Sequence, residues 1–503
     1  MSISDQSELL PNMTRRELVR NLGVLSALGL IEPRLVAEAF TDRRHISRLA
    51  AQPPSREGTW EAQRIQGRIP EELNGTLYRV AKGQLENHGV TLKHWFDGDA
   101  FVIKYSIREG GVRIAARFVE TPERQQETAA GRMLYHEFGT AVPDRPANSK
   151  NQPNINVILW DGRLLGLSEA FHPTAIDPET LAYQGRWDFY GTLPPNVSFT
   201  AHPKFDPADG VGYTFGTNNG VDWAIMVYRM ELNGTLTQIA KLPQPGSGWF
   251  MVHDMLLGSE HLVFVVPPVW YDVNALMSGL VSPADALHFL ETNPTRVIVV
   301  RKDGSGDPVV FELPPAMVFH HGNLTEAGNL LSFHSLMSPG DSELRLFASW
   351  SEDSFPQLRT ELTQLSLDLS SRQDVTRAVL AKGIEFPRFD ARRIGADARY
   401  LYTLRSDRPD SFSFPTIVRH DLLTGGEQRV RSGRNRTHEE VLFVPRPGKT
   451  EETEGWLLGQ VYDAAADQTF LEIRDAETLE LEARVWTGEH LPLGFHGNFY
   501  SLG

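Results

Sequence analysis

The sequence contains no cysteine. Disulfides, thiol nucleophiles and thiolate metal sites are therefore excluded, while a reducing and an oxidising compartment both remain compatible with the chain. Positive charge is also in short supply: 49 Lys and Arg stand against 64 Asp and Glu, a formal net charge of −15. With no basic, aromatic-interleaved patch, that balance argues against nucleic acid as a partner and against an electrostatic hold on anionic lipid. Long apolar runs are missing as well. The stretch from Leu22 to Ile31 contains two glycines and is about half the ~20 residues that a membrane-spanning helix needs. There is no His-Glu-x-x-His pair, and no Ser/His/Asp or paired-carboxylate arrangement stands out.

Helical periodicity is scarce too. Beyond residue 70, short runs rich in Val, Ile, Leu, Tyr and Phe read as strands, among them 101–107, 154–160, 223–230, 296–302, 343–350, 399–405 and 469–475. Asp161-Gly162, Asp209-Gly210, Asn233-Gly234 and Asp303-Gly304 are dipeptides of the kind that closes hairpins. Many short strands without βαβ alternation imply an all-β sandwich, barrel or propeller. A chain of 503 residues, 41% hydrophobic and 22% charged, has an ordinary globular composition, and such β folds exceed the average domain length as single units. No Gly-His…Trp-Asp repeat near forty residues is present, so the common interaction-type propeller is not supported.

One segment breaks the strand pattern. Residues 267–290, with Trp270, Tyr271, Leu276, Met277, Leu280, Val281, Leu287 and Phe289, are predicted to be helical. Two roles are open: a cap buried over the β fold, or an exposed apolar patch that dips into a membrane. At the N-terminus, Thr14-Arg15-Arg16-Glu17-Leu18-Val19-Arg20 precedes the short apolar stretch and then Ala37-Glu38-Ala39. This looks like a twin-arginine export signal over residues 1–40, which would place the protein in the periplasm. The competing reading is an amphipathic N-terminal helix of a cytoplasmic, membrane-peripheral enzyme, and Asp5 and Glu8 favour it.

What the sequence does have is a set of histidines in distinctive settings. His202 lies in Ala-His-Pro-Lys-Phe-Asp-Pro, His253 in Val-His-Asp, His320 in Phe-His-His-Gly-Asn, and His496 in Gly-Phe-His-Gly. Neutral imidazole suits first-row metals, and ligands this far apart must be gathered by a closed fold. Taken singly, each of the 16 histidines reads more readily as a surface or satisfied core residue. That reading suits His261, His288, His334, His420 and His490.

The flanking residues change the balance for the four. In order, these segments resemble the four ligand motifs of the carotenoid cleavage oxygenase family, which includes apocarotenoid oxygenases, lignostilbene dioxygenases and the retinoid isomerase of the visual cycle. His94-Trp95-Phe96-Asp97-Gly98-Asp99 is similar to the family's N-terminal signature, and Gly75-Thr76-Leu77-Tyr78-Arg79 resembles the strand before it. Glu169, Glu385 and Glu440 fall where the family places carboxylates behind its histidines, with Glu439 an alternative to Glu440 in register. A carboxylate that accepts the second ring N–H of a bound imidazole fixes its tautomer and orientation. The resemblance runs from Leu73 to the last residue.

The resemblance implies a seven-bladed β-propeller over residues 41–503 with a helical cap, and Fe(II) held on its axis by His202, His253, His320 and His496. His320 is preferred to His321 because the family ligand lies three residues before an Asn, here Asn323. The implied reaction is cleavage of a conjugated C=C bond of an apolar polyene by O2, giving two carbonyl products. Some residues depart from the family pattern: Ala100 replaces a Gly, Arg79-Val80-Ala81-Lys82-Gly83 replaces Arg-x-Gly-Pro, and Leu493 stands where many relatives have Tyr. These touch packing and loops, not ligands. Glu123, read as standing near a phenol-binding Lys of the stilbene-cleaving branch, would repel a phenolate and so favours polyenes. Three rival readings remain: cleavage of a lignostilbene or phenylpropenoid at the same site, a non-catalytic carotenoid-binding propeller, and an iron-dependent isomerase. Oligomeric state is open.

Overall fold

In the computed structural model, residues 46–502 are described, apart from 219–222, 244–248, 349–357, 372–375 and 408–412. The N-terminal segment read as an export signal lies outside the described residues. Among the described residues the strands form nine antiparallel sheets, and the seven largest, of four to six strands each, are arranged as the blades of a propeller. Chain order sets the blades. The strands Asn156–Trp160, Lys204–Phe205, Leu256–Leu257, Ala316–Ala327 and Ile384–Arg388 each begin one blade, from the second to the sixth. The first and seventh blades interlock the ends of the chain. Gly497–Ser501 pairs with Gly75–Lys82, and Arg64–Gly67 pairs with Leu481–Trp486.

The apolar runs reflect burial on both sheet faces. In Ala100–Arg108, Phe101, Ile103, Tyr105 and Ile107 pack with Leu458, Leu471 and Ile473 of the seventh blade, while Ala100 and Val102 pack with Val157 and Leu164 of the second. Alternate side chains thus serve two blade interfaces, and the first half of the strand, Ala100 to Ile103, reads as a continuous apolar run. All four predicted turn pairs connect paired strands. At the tightest, Asp161 and Gly162 both take positive φ (47° and 70°) between Trp160 and Arg163, as a two-residue hairpin requires.

Two expectations need correction. The strand predicted from residue 343 is helical over its described part: Ser342–Ala348 is a helix, and Glu343, Leu346 and Phe347 are buried at helical spacing. The residues Glu, Leu, Arg and Ala are good helix formers, and packing of this face outweighs the aromatic content that suggested a strand. Likewise 267–290 is not one helix. Val269–Tyr271 and Leu287–Phe289 are strands, and the six-residue helix Val273–Ser278 lies between them. The Asp272 carboxylate caps its start by accepting from Ala275 N, and Gly279 (φ 66°) ends it with its N–H bonded to Leu276 O. The cap is therefore mixed. Val269 and Tyr271 belong to the same core cluster as Phe319, Phe386 and Phe495, side chains that flank the histidines.

Candidate metal centre

Inner strands carry the chemistry because they alone face the axis. His320 lies in Ala316–Ala327, and His202, His253 and His496 each lie just before an inner strand: Lys204–Phe205, Leu256–Leu257 and Gly497–Ser501. Each histidine thus comes from a different blade. All four are buried, and their ligating nitrogens lie within 4.8 Å of one another. Nε2 of His202 is 2.9 Å from Nε2 of His253, and Nε2 of His320 is 3.2 Å from Nε2 of His496. His321, by contrast, turns its Nδ1 to Ser335 Oγ at 2.8 Å and is not part of the cluster. His261, His420 and His490 are satisfied by Glu326, Thr403 and Asp467.

The three remaining blades supply the three glutamates. Glu385 Oε2 lies 2.7 Å from His320 Nδ1, and Glu440 Oε1 lies 3.0 Å from His496 Nδ1. Glu169 Oε1 stands 2.5 Å from His253 Nδ1 but off the line of a hydrogen bond, with its side chain 22% exposed. Glu439 turns away: it pairs with Arg79 and accepts from Gly494 N. Each carboxylate that accepts an Nδ1–H leaves the opposite Nε2 with a lone pair facing the centre.

Burial keeps three of the four rings neutral. Burial pushes His202 well below the ordinary histidine range and takes His320 and His496 down to about 3. Burial opposes protonation of His253 as well, but Glu169 outweighs it and raises that ring. Burial also pushes Glu440 upward, yet Arg388 and then His496 hold it well below the carboxylate range. Burial takes Glu385 up to about 7, and burial and then the charge of Glu385 push the buried Glu343 carboxyl well above the usual carboxylate range.

The donor set fits a metal ion. Imidazoles bound at about 2.1 Å to one ion would place neighbouring nitrogens about 3 Å apart, as the His202–His253 and His320–His496 pairs are. Four imidazole nitrogen donors, three of them with a carboxylate behind the ring, suit a first-row divalent ion. Beside the centre is a cavity of about 320 Å³, with walls that include Phe138, Phe171, Phe215, Met251 and Tyr271 and that reach Glu169 and Thr200.

Sequence reasoning misplaced one residue and missed others. Glu123 pairs with Arg186 at 2.5 Å and does not line the cavity, so the argument against phenolic substrates drawn from it falls. Lys150 does line the cavity, yet its Nζ sits 2.7 Å from Asp99 and 2.9 Å from both Glu127 and Glu137. Phe386 carries no role that the sequence alone suggests. It adopts φ 57°, an uncommon conformation for a bulky residue, with its N–H bonded to Glu385 Oε2 and its ring near those of His320 and His496. Only its place directly after the predicted Glu385 could have marked it.

Comparisons with known proteins agree with this architecture. Residues 51–501 match the family model described as retinal pigment epithelial membrane protein. The chain is 27% identical over 457 residues to the apocarotenoid-15,15'-oxygenase of Synechocystis, covering 86% of this chain and 92% of that protein. It is also 27% identical to resveratrol cleavage oxygenase 1 of Aspergillus fumigatus, over 92% of this chain and 96% of that one. The crystal structure of cobalt-substituted Synechocystis ACO superposes with a TM-score of 0.83 at 26% identity, covering 91% of this chain and 99% of that one. These relatives are named as oxygenases, the enzyme class expected from the motifs. With seven blades, a four-histidine centre and a family match over nearly its whole length, the chain belongs to the retinal pigment epithelial membrane protein family, the carotenoid cleavage oxygenases whose motifs it carries.

Proposed function

We propose that His202, His253, His320 and His496 hold iron(II), and that the protein cleaves one conjugated C=C bond of a carotenoid or apocarotenoid with O2. One double bond and one O2 become two C=O groups, so atoms balance without a further reductant. The observation that carries this reading is the convergence of four buried imidazoles beside an aromatic-walled cavity. Bound there, iron(II) supplies the activation of dioxygen. The chain's own residues do the rest. Glu385 and Glu440 fix two rings by accepting their Nδ1–H, and Glu169 attracts a third. Phe138, Phe171 and Phe215 offer apolar faces to a polyene and exclude water from it. No residue needs to act as general acid or base.

A second reading, cleavage of a hydroxystilbene or a phenylpropenoid, has support in the likeness to a resveratrol cleavage oxygenase. The cavity lysine weighs against it. Lys150 is fully buried and shared among three carboxylates, so it offers a phenolate no unspent charge. The test is to load the protein anaerobically with Fe(II), admit O2, and analyse a C40 carotenoid, an apocarotenal, a hydroxystilbene and isoeugenol by chromatography with mass detection. Aldehydes from a polyene are expected. Aldehydes from the stilbene or isoeugenol alone would replace the substrate class. No product from any of them, despite bound iron, would overturn the oxygenase reading in favour of an isomerase or a binding propeller.

Two further proposals concern location. Met277 and Leu280 are 81% and 59% exposed at the end of the cap helix, and the cap residue Leu276 lines the cavity, which supports peripheral contact with a membrane that delivers lipid-soluble substrate. Export through residues 1–40 rests on Arg15-Arg16 and Ala37-Glu38-Ala39. Cell fractionation of the native chain against an Arg15→Lys/Arg16→Lys variant tests it: an unchanged cytoplasmic location for both chains would refute export.

A further inference from the structure

The strand Ile384–Arg388 contributes twice to the metal centre. Its register against Tyr400–Arg405 is interrupted between Glu385 and Arg388. In a regular strand, residues three apart face opposite sides of the sheet, whereas an extra residue in between brings them to the same side. Glu385 accordingly meets His320, and Arg388 reaches Glu440, the carboxylate behind His496. The guanidinium grips it with two bonds, Nε to Oε1 at 2.7 Å and Nη2 to Oε2 at 2.8 Å. Neither of the other two glutamates has such a clamp: besides His320, Glu385 accepts from Phe386 N–H, and Glu169 is open to the cavity.

Resting on the metal-centre reading above, we propose that Arg388 is a positioning residue: it locks Glu440 in the orientation that aims His496 at the metal. The fork geometry makes this specific, because a planar guanidinium fixes both carboxylate oxygens at once, whereas an ammonium binds as a point charge. A competing pull exists. Arg79 Nη1 lies 3.5 Å from Glu440 Oε2, with Arg79 otherwise engaged by Glu439. Without Arg388, Glu440 swings toward Arg79 and loosens its hold on His496 Nδ1. Arg388 is replaceable without leaving a sealed void, since its side chain is 30% exposed and lines a small cavity of about 90 Å³ together with Lys204 and His321.

Cobalt(II) is the probe, because its visible bands report ligand geometry and its affinity is measured without turnover. Arg388→Met is expected to bind cobalt ten- to a hundredfold more weakly, the range for loss of an orienting partner, and to shift the bands. Arg388→Lys is expected to fall between Met and the native protein. Glu440→Gln is expected to match Arg388→Met, and combining the two is expected to add little, since both act through His496. Native-like affinity and bands in folded Arg388→Met, with only the melting temperature lowered, would reduce Arg388 to a structural salt bridge and overturn the proposal. Failure of the native protein to bind cobalt at all would instead overturn the metal-centre reading, and this inference with it.

Discussion

Nε2 of His202 and Nε2 of His253 stand 2.9 Å apart, although 51 residues separate them in the chain. Only one proton can lie between two such nitrogens, and burial disfavours charge on the His202 ring. The arrangement thus presents lone pairs inward, where a cation satisfies them.

Removing one of these rings tests the centre directly. His202→Ala is expected to lower iron or cobalt affinity by about 100-fold or more, at least the upper end of what loss of an orienting carboxylate alone costs. The metal-free variant is expected to melt within a few degrees of the metal-free native protein, since the ring bonds no carboxylate that would be stranded. Metal analysis after gel filtration, beside calorimetry of both apo forms, makes the comparison. Full metal retention would remove His202 from the ligand set.

Gly494 gives a prediction about how His496 is placed. A Cβ there would collide with the backbone carbonyl of Val80, in the strand Gly75–Lys82 against which the last strand pairs. Backbone cannot swing aside as a side-chain tip can, so Gly494→Ala is expected to destabilise the protein by about 1–3 kcal/mol. It should weaken metal binding too, because the strand that carries His496 must shift. Equilibrium denaturation with unchanged stability would contradict this account of the close approach.

His94, in the N-terminal signature, predicts a pH dependence. Its buried ring accepts the Phe96 N–H at Nδ1, and burial, then Lys82, takes it down to about 3. Its folded pKa lies below its unfolded value near 6.5, so the unfolded chain takes up the proton first. The stability it contributes is complete above about pH 6.5 and is lost as pH falls toward 3. Between pH 7.5 and 5 that loss is about 2 kcal/mol from this ring. Asn at position 94 can accept the same i+2 N–H in an Asx turn without gaining a charge. His94→Asn is therefore expected to flatten the fall in stability between pH 7.5 and 5; an equally steep fall in the variant would refute the assignment.

Much of this was legible before the structure, and for identifiable reasons. Hairpin dipeptides such as Asp161-Gly162 and two-faced apolar strands such as Ala100–Arg108 announce an all-β fold, because turn chemistry and burial on both faces leave local traces. The histidines and glutamates were legible through their flanking motifs. What was not legible depends on tertiary context. The charge of Glu123 is visible in sequence, but whether it faces a ligand or Arg186 is not. The run from Glu343 carried aromatic residues that suggested a strand, yet its helical burial against the core decided otherwise. Arg388 follows the predicted Glu385 by three residues, but its grip on Glu440 depends on a register shift that no pattern of residue types encodes.

The cap supplies the last prediction. Met277 is 81% exposed and Leu280 59%, with Gly279 and its left-handed turn holding them at the end of the helix Val273–Ser278. Transfer of such a side chain from water to an apolar phase is worth about 1.5–3 kcal/mol when complete. A net charge of −15 opposes binding to anionic lipid, so the interaction should be strongest on zwitterionic vesicles and insensitive to salt. Met277→Asp/Leu280→Asp is expected to reduce flotation with phosphatidylcholine liposomes by tenfold or more while leaving cobalt binding unchanged, because neither residue touches the histidines. Turnover should then fall for substrate presented in vesicles and persist for substrate presented in detergent micelles. Equal flotation of the two proteins would mean that these side chains do not meet the membrane, and the cap would be left with the role of covering Phe319, Phe495 and the mouth of the cavity.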